Sequence, residues 1–265
     1  MKLNLIGIGA FSSKLVDKLN DEECQSLVFH ENIADLDLES NEVTYQAVHV
    51  NDVYDLSNIQ ETYCFVDCKE GIAGITLSLL SKFSDKDITV FMMVYNCQSN
   101  TEKINQKITY NVLQEYARSG VFKGIFILNY DKLFDQIVNL MPDNESISIN
   151  DVNNKLIDKL IFGVHVYWRL NNETYMEGEQ IRFQDTIYRI KTFFEQVGET
   201  EYAYGDMLYI GNKILVKGLK EKMQKQELLE LQRFKKAVKE SGDRYILLKS
   251  DFDFILGIAE SKIVQ

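Results

Sequence analysis

Residues 88–133 read ITVFMMVYNCQSNTEKINQKITYNVLQEYARSGVFKGIFILNYDKL. The apolar run at 88–95 is short and rich in Ile, Val and Phe, as a strand buried on both faces is. After a polar break, Thr101–Arg118 carries Ile104, Ile108, Val112 and Tyr116 four residues apart, the period of a helix. A second apolar run follows at 123–129. Strand, helix and strand in this order predict two parallel strands joined by a right-handed crossover.

The same alternation extends toward the N-terminus. Residues 3–9, 26–30 and 62–67 are strand-like runs, with helical patterns at Ser12–Leu19 and Ala73–Phe83 between them. The fold class expected is α/β, a doubly wound, mainly parallel sheet whose ligands bind outside the carboxyl ends of the strands. A long helix over Asn150–Leu170 follows, with Val152, Leu156, Leu160 and Val164 as its buried stripe and Asn150 or Asp151 as its cap. Beyond it the pattern changes. MLYIGNKILV reads as a hairpin turning at Gly211 and Asn212, and a basic amphipathic helix spans Gly218–Ser241 with Leu219, Met223, Leu228, Leu231 and Val238 inward. RYILLKS and FDFILGIAESKIV read as closing strands. The expected division is a first domain at 1–149, a core helix at 150–172 and a smaller α/β domain at 173–265.

Composition narrows the functional classes. With 45% hydrophobic and 26% charged residues among 265, the chain reads as a soluble globular protein, and no apolar run approaches the ~20 residues of a membrane span. MKLNLIGIGA has strand-like alternation and no cleavage site, so a cytoplasmic location is expected. Cys24, Cys64, Cys68 and Cys97 form no CxxC pair, and His30, His49 and His165 are scattered, which predicts reduced thiols and no metal site. A single proline, Pro142, amid many Asn, Lys and Ile suggests an AT-rich genome, as in some bacteria and many phages. A phage-encoded chain would reside in the host cytoplasm or the virion. The net charge is −11, yet residues 213–240 hold nine Lys and Arg against four Glu. Such a basic segment suits head-to-tail self-association, an acidic protein partner, or a solvated helix face. Nucleic acid is not an expected partner, because the acidic body repels phosphates and no aromatic residues interleave the lysines.

Taken in order, these segments resemble the tubulin/FtsZ family over about residues 1–190. LIGIGAFSSKLV is similar to that family's first strand and glycine loop, with Gly7 and Gly9 retained. LVFHENIADL resembles the second strand and its loop. Residues 88–133 follow the family's strand, loop, charged helix and a strand ending in PNDKL, with Asn129 and Tyr130 ahead of Asp131, Lys132 and Leu133. INDVNNKLIDKLIFGV resembles the core helix, and IRFQDTIYRI the loop after it that ends in FAD.

The resemblance implies that GTP, with magnesium, binds one subunit and that an acid from the next subunit completes the hydrolytic site. By position, the nucleotide residues would be Gly7, Gly9, Gly71, Gly74, Thr76 and Asn153, with Asn154 the alternative if the register slips. The catalytic acid would be Asp185, whose other reading is a helix N-cap; Arg182 stands where the family has a second acid. DCKEGIAGIT (67–76) falls at the phosphate loop, GGGTGTG in the family. Glycines there let bare backbone approach phosphate at positive φ. Ile72, Ala73 and Ile75 are poor substitutes, and Ala10, Phe11 and Ser12 replace glycines in the first loop. Lys14 and Lys69 offer only point charges. The stretch between NIADL and TYCFVD is shorter than the family's insert, which senses the terminal phosphate.

The expectation is therefore a degenerate member that acts by assembly into filaments or rings, with little or no GTP hydrolysis and no cofactor. Phe11, Ile72, Ile75 and Arg182 would then lie at a head-to-tail contact. An active polymerising GTPase and a monomeric binding module using the old cleft are the alternatives.

Overall fold

The computed structural model describes residues 2–20, 24–31, 45–47, 59–80, 87–141, 148–172, 190–208 and 213–261. The chain divides into two compact units, Met1–Asp131 and Lys132–Gln265.

In the first unit the strands are β1 (Lys2–Ile8), β2 (Cys24–Glu31), β3 (Tyr45–Ala47), β4 (Ile59–Asp67), β5 (Asp87–Val94) and β6 (Gly124–Asn129). Their order is β3-β2-β1-β4-β5-β6. Every pairing is parallel except β2 with β3, the short strand that sequence reading did not anticipate. The helices are α1 (Ala10–Leu19), α2 (Thr76–Leu80) and α3 (Asn100–Arg118), with a 3-10 turn at Gly71–Ile75 before α2. The expected parallel sheet is present, and burial of β5 from Ile88 to Met93 on both faces explains its unbroken apolar run. Tyr63, Phe65, Phe91 and Phe126 make an aromatic row across the sheet, Phe65 and Phe126 stacking on Phe91 at 4.8 and 5.1 Å. The strand order reverses between β1 and β4, so the crevice beyond their carboxyl ends is the switch point where such sheets bind ligands.

The second unit takes α4 from Lys132 onward (Tyr130–Leu140), then α5 (Ile149–Asn172), β7 (Ile190–Val197), β8 (Thr200–Ala203), β9 (Ile214–Leu219), α6 (Lys225–Ser241), β10 (Arg244–Lys249) and β11 (Phe254–Glu260). The long helix expected at Asn150–Leu170 is α5, with Val152, Leu156, Leu160 and Val164 buried. Its cap lies earlier than expected: the Ser148 hydroxyl accepts from Asp151 N at 3.1 Å, and the Asp151 carboxylate accepts from Ser148 N at 3.3 Å.

The remaining differences arise from tertiary pairing. β9 does not form a hairpin with the described residues before the turn; it pairs antiparallel with β11 and parallel with β10, while Met207 bridges to Ser261. Gly211 and Asn212 lie outside the described residues. The basic helix begins at Lys225, and Gly218 and Leu219 close β9 instead. A Cβ on Gly218 would stand 2.2 Å from the Phe254 ring, so glycine permits the cross-strand contact. Leu231 and Val238 face inward, but Leu228 is exposed. Part of the segment's positive charge has carboxylate partners: Lys213 pairs with Glu201, Lys217 with Asp253, Lys220 with Glu227 and Lys236 with Glu240. Among the described residues, no helix is long and apolar enough to cross a membrane.

Candidate functional site: the first turn of α1

The crevice at the switch point is bounded by Gly9 after β1 and by Asp67 at the end of β4. Gly7 lets β1 approach α1, since a Cβ there would lie 2.9 Å from Ser12 O. Gly9 has φ of 104° and begins α1 with no side-chain cap. No acidic residue lies in that first turn either. The helix thus presents bare N–H groups and the positive end of its dipole to the crevice, an arrangement suited to an anion.

The anions present are two of the chain's own carboxylates. Asp67 Oδ2 accepts from Phe11 N at 2.8 Å and Ser12 N at 3.1 Å, while Oδ1 accepts from Ser12 Oγ at 2.7 Å and Tyr95 Oη at 3.0 Å. Glu70 accepts from Ala10 N at 3.0 and 3.2 Å through its two oxygens. Asp67 is fully buried. Burial raises its pKa above the ordinary carboxylate range, opposed by the Ser12, Tyr95 and Phe11 hydrogen bonds that favour the anion. Burial, then the Asp67 charge, pushes the Tyr95 phenol well up and keeps it a donor at neutral pH.

A shell of aromatic and polar groups fixes this arrangement. Gln106 holds the Tyr95 backbone, accepting from its N–H and donating to its carbonyl, both at 2.8 Å. The Tyr130 ring lies 5.0 Å from Tyr95 and 5.4 Å from Phe11, edge-on to the latter. Lys69 Nζ sits 4.2 Å from the Tyr95 ring centroid. Gly9 is required by this packing, because a Cβ would fall 2.4 Å from Asp67 Cβ. The retained Gly7 and Gly9 therefore have structural reasons that involve no ligand.

The segment expected to be a phosphate loop is a helical turn. Residues Gly71–Ile75 are 3-10 and Gly74 has no positive φ, so Ile72 and Ile75 meet no conformational penalty of the kind anticipated. A Cβ at Gly74 would meet nothing within 4 Å. The Thr76 hydroxyl donates to Ala73 O at 2.7 Å and is buried. Ile72 and Phe11 are buried within the chain, which corrects the expectation that both face a neighbour; Ile75 is partly exposed. Asn153 is half-buried on α5 in the second unit and Asn154 is exposed. Asp185 and Arg182 lie outside the described residues. No cluster of three or more His, Cys, Asp or Glu able to hold a metal occurs among the described residues.

Sequence reading weighs the missing glycines, takes Ser12 only as one of their replacements, and gives no role to Asp67, Glu70 or Tyr95. The signal was in the quoted loop: a segment expected to hold an anion begins with an acid and carries another three residues on.

A parallel sheet reversing between β1 and β4, a long helix and a second α/β unit constitute a tubulin/FtsZ-like fold. Neither a family model nor a curated protein matches the sequence. Solved structures do. A GTPγS-form protofilament of TubZ from Bacillus thuringiensis serovar israelensis matches with a TM-score of 0.68 at 8% identity, over 98% of this chain and 87% of that one. CetZ from Methanosaeta thermophila matches at 0.60 and 10% identity, over 99% and 87%. An FtsZ mutant from M. jannaschii matches at 0.56 and 9% identity, over 98% and 91%.

Proposed function

We propose that this chain is an assembly protein of tubulin/FtsZ-like fold that associates head to tail without a nucleotide switch. The observation that carries this reading is the Asp67 carboxylate on the first-turn amides of α1, with Glu70 on the amide before them. A helix N-terminus that serves a phosphate offers the same amides, and here protein oxygens accept from them at hydrogen-bond distance. A triphosphate would have to displace a buried carboxylate and bring its own negative charge beside it. The structural neighbours supply the assembly half of the reading, since one is a TubZ protofilament and another a CetZ2 protofilament from Haloferax volcanii. With the switch gone, assembly is constitutive, and the contact is heterologous and closes or propagates according to its rotation.

The test is light scattering and pelleting of protein stripped of nucleotide by phosphatase and EDTA. Equal concentration-dependent assembly with and without GTP and magnesium is expected. Assembly that requires GTP, with phosphate release per subunit rising with protein concentration, would restore the active GTPase; a monomer under all conditions would favour a binding module.

A further inference from the structure

Helix α3 is turned the wrong way round for a solvated helix. Its inward residues include Thr109 and Gln114 beside Leu113 and Ala117. Gln106 and Asn105 are also occupied in the protein, Asn105 donating to Lys69 O at 3.3 Å. Its outward side carries the apolar series: Ile104 is 58% exposed, Ile108 59% and Tyr116 40%, with Val112 between them half-buried. Side chains four apart form a ridge along a helix, the element that packs into the grooves of another helix. At 1.5 Å per residue this ridge runs about 18 Å.

The charges beside the ridge identify what would cover it. Lys103 and Lys107 flank its N-terminal half, and Glu115, itself paired with Arg118 three residues on, flanks its C-terminal half. Two copies of α3 packed antiparallel about a two-fold axis between Ile108 and Val112 would set Ile104 against Tyr116 and Ile108 against Val112. In that register Glu115 of one copy comes level with Lys103 and Lys107 of the other, within about 3 Å along the axis. A parallel pair would instead bring Lys107 to Lys107. The ridge is self-complementary only in the antiparallel sense, the condition for an isologous contact.

We propose that α3 is a homotypic docking surface, by which two copies of this chain pair antiparallel through Ile104, Ile108, Val112 and Tyr116. This contact is separate from a head-to-tail one, and in an assembly it joins one strand to a second. One helix pair is smaller than a standard interface of roughly 1,600 Å², so the isolated pair is weak and gains strength from repetition along strands.

Cysteine cross-linking of the full chain in a Cys97→Ser background tests the geometry. Mixed Ile108→Cys and Val112→Cys proteins are expected to cross-link to each other more than Ile108→Cys does to itself. Ile108→Lys introduced into the Val112→Cys partner should lower that yield at least tenfold. Lys107→Glu should lower it severalfold, and Lys107→Glu with Glu115→Lys should restore it. A head-to-tail contact does not bring residues 108 and 112 together, so failure of that reading leaves this result intact. Preferential self-cross-linking of Ile108→Cys would overturn the proposal, since a parallel pair, or an antiparallel one centred on residue 108, brings that residue to its own copy. Absence of any cross-link, with Ile108→Lys lowering the midpoint of urea unfolding, would overturn it by placing the ridge under the chain's own residues.

Discussion

Two helix N-termini in the first unit solve the same problem differently. At α3 the Ser99 hydroxyl accepts from Glu102 N and the Glu102 carboxylate accepts from Ser99 N, each at 3.1 Å, so the cap is written within four consecutive residues. At α1 nothing local caps the first turn, and the acceptors come from Asp67 and Glu70, 56 and 60 residues away. The helices α5 and α6 follow α3, through Ser148 with Asp151 and through Glu227 accepting from Gln224 N. A helix end without a local cap has its donors available for a partner from elsewhere. In this chain that partner is internal.

Removing the distant acceptor costs more than removing a local one. Asp67→Ala leaves the Phe11 and Ser12 amides, the Ser12 hydroxyl and the Tyr95 phenol without their acceptor in a buried site, and is expected to cost about 4 kcal/mol by urea unfolding. A cost below about 1 kcal/mol would mean that water or another group takes its place. Gly9→Ala forces a Cβ onto Asp67 at positive φ and should cost about 3 kcal/mol, less in an Asp67→Gly background where the collision is relieved and only the backbone strain remains. Ser99→Ala, the local counterpart, should cost about 1 kcal/mol.

The smallest effect is a difference of sign with pH. Asp67 is held above its ordinary value, so the stability it contributes is present in acid and is lost as pH rises through the folded value. Glu102 is held below its ordinary value, first by the Ser99 amide, so its contribution is present near neutrality and is lost as pH falls through the folded value. The cost of Asp67→Asn should therefore shrink from acid toward neutral pH, while that of Glu102→Gln grows. Parallel slopes in the two unfolding series would remove the distinction between the two caps.

What was legible in the sequence follows the same division between local and distant. The strands of the parallel sheet announce themselves as short apolar runs, and α5 by its stripe, because burial on a face imposes a period on neighbouring residues. The spacing of Ile104, Ile108, Val112 and Tyr116 correctly marked a helix, but period alone does not say which side faces the core. The role of Asp67 was hidden because its partners Phe11, Ser12 and Tyr95 meet it only once β1, β4 and β5 lie side by side. Likewise β9 reads as half of a hairpin in sequence because its neighbours β10 and β11 come later in the chain.

The most direct test of the central claim is calorimetric titration of GTP with magnesium into nucleotide-free protein, carried to millimolar concentration. The occupied first turn of α1 predicts no binding heat. Saturable binding in the micromolar range, lost on Gly9→Ala, would mean that phosphate displaces Asp67 and Glu70, and that the crevice is a nucleotide site after all.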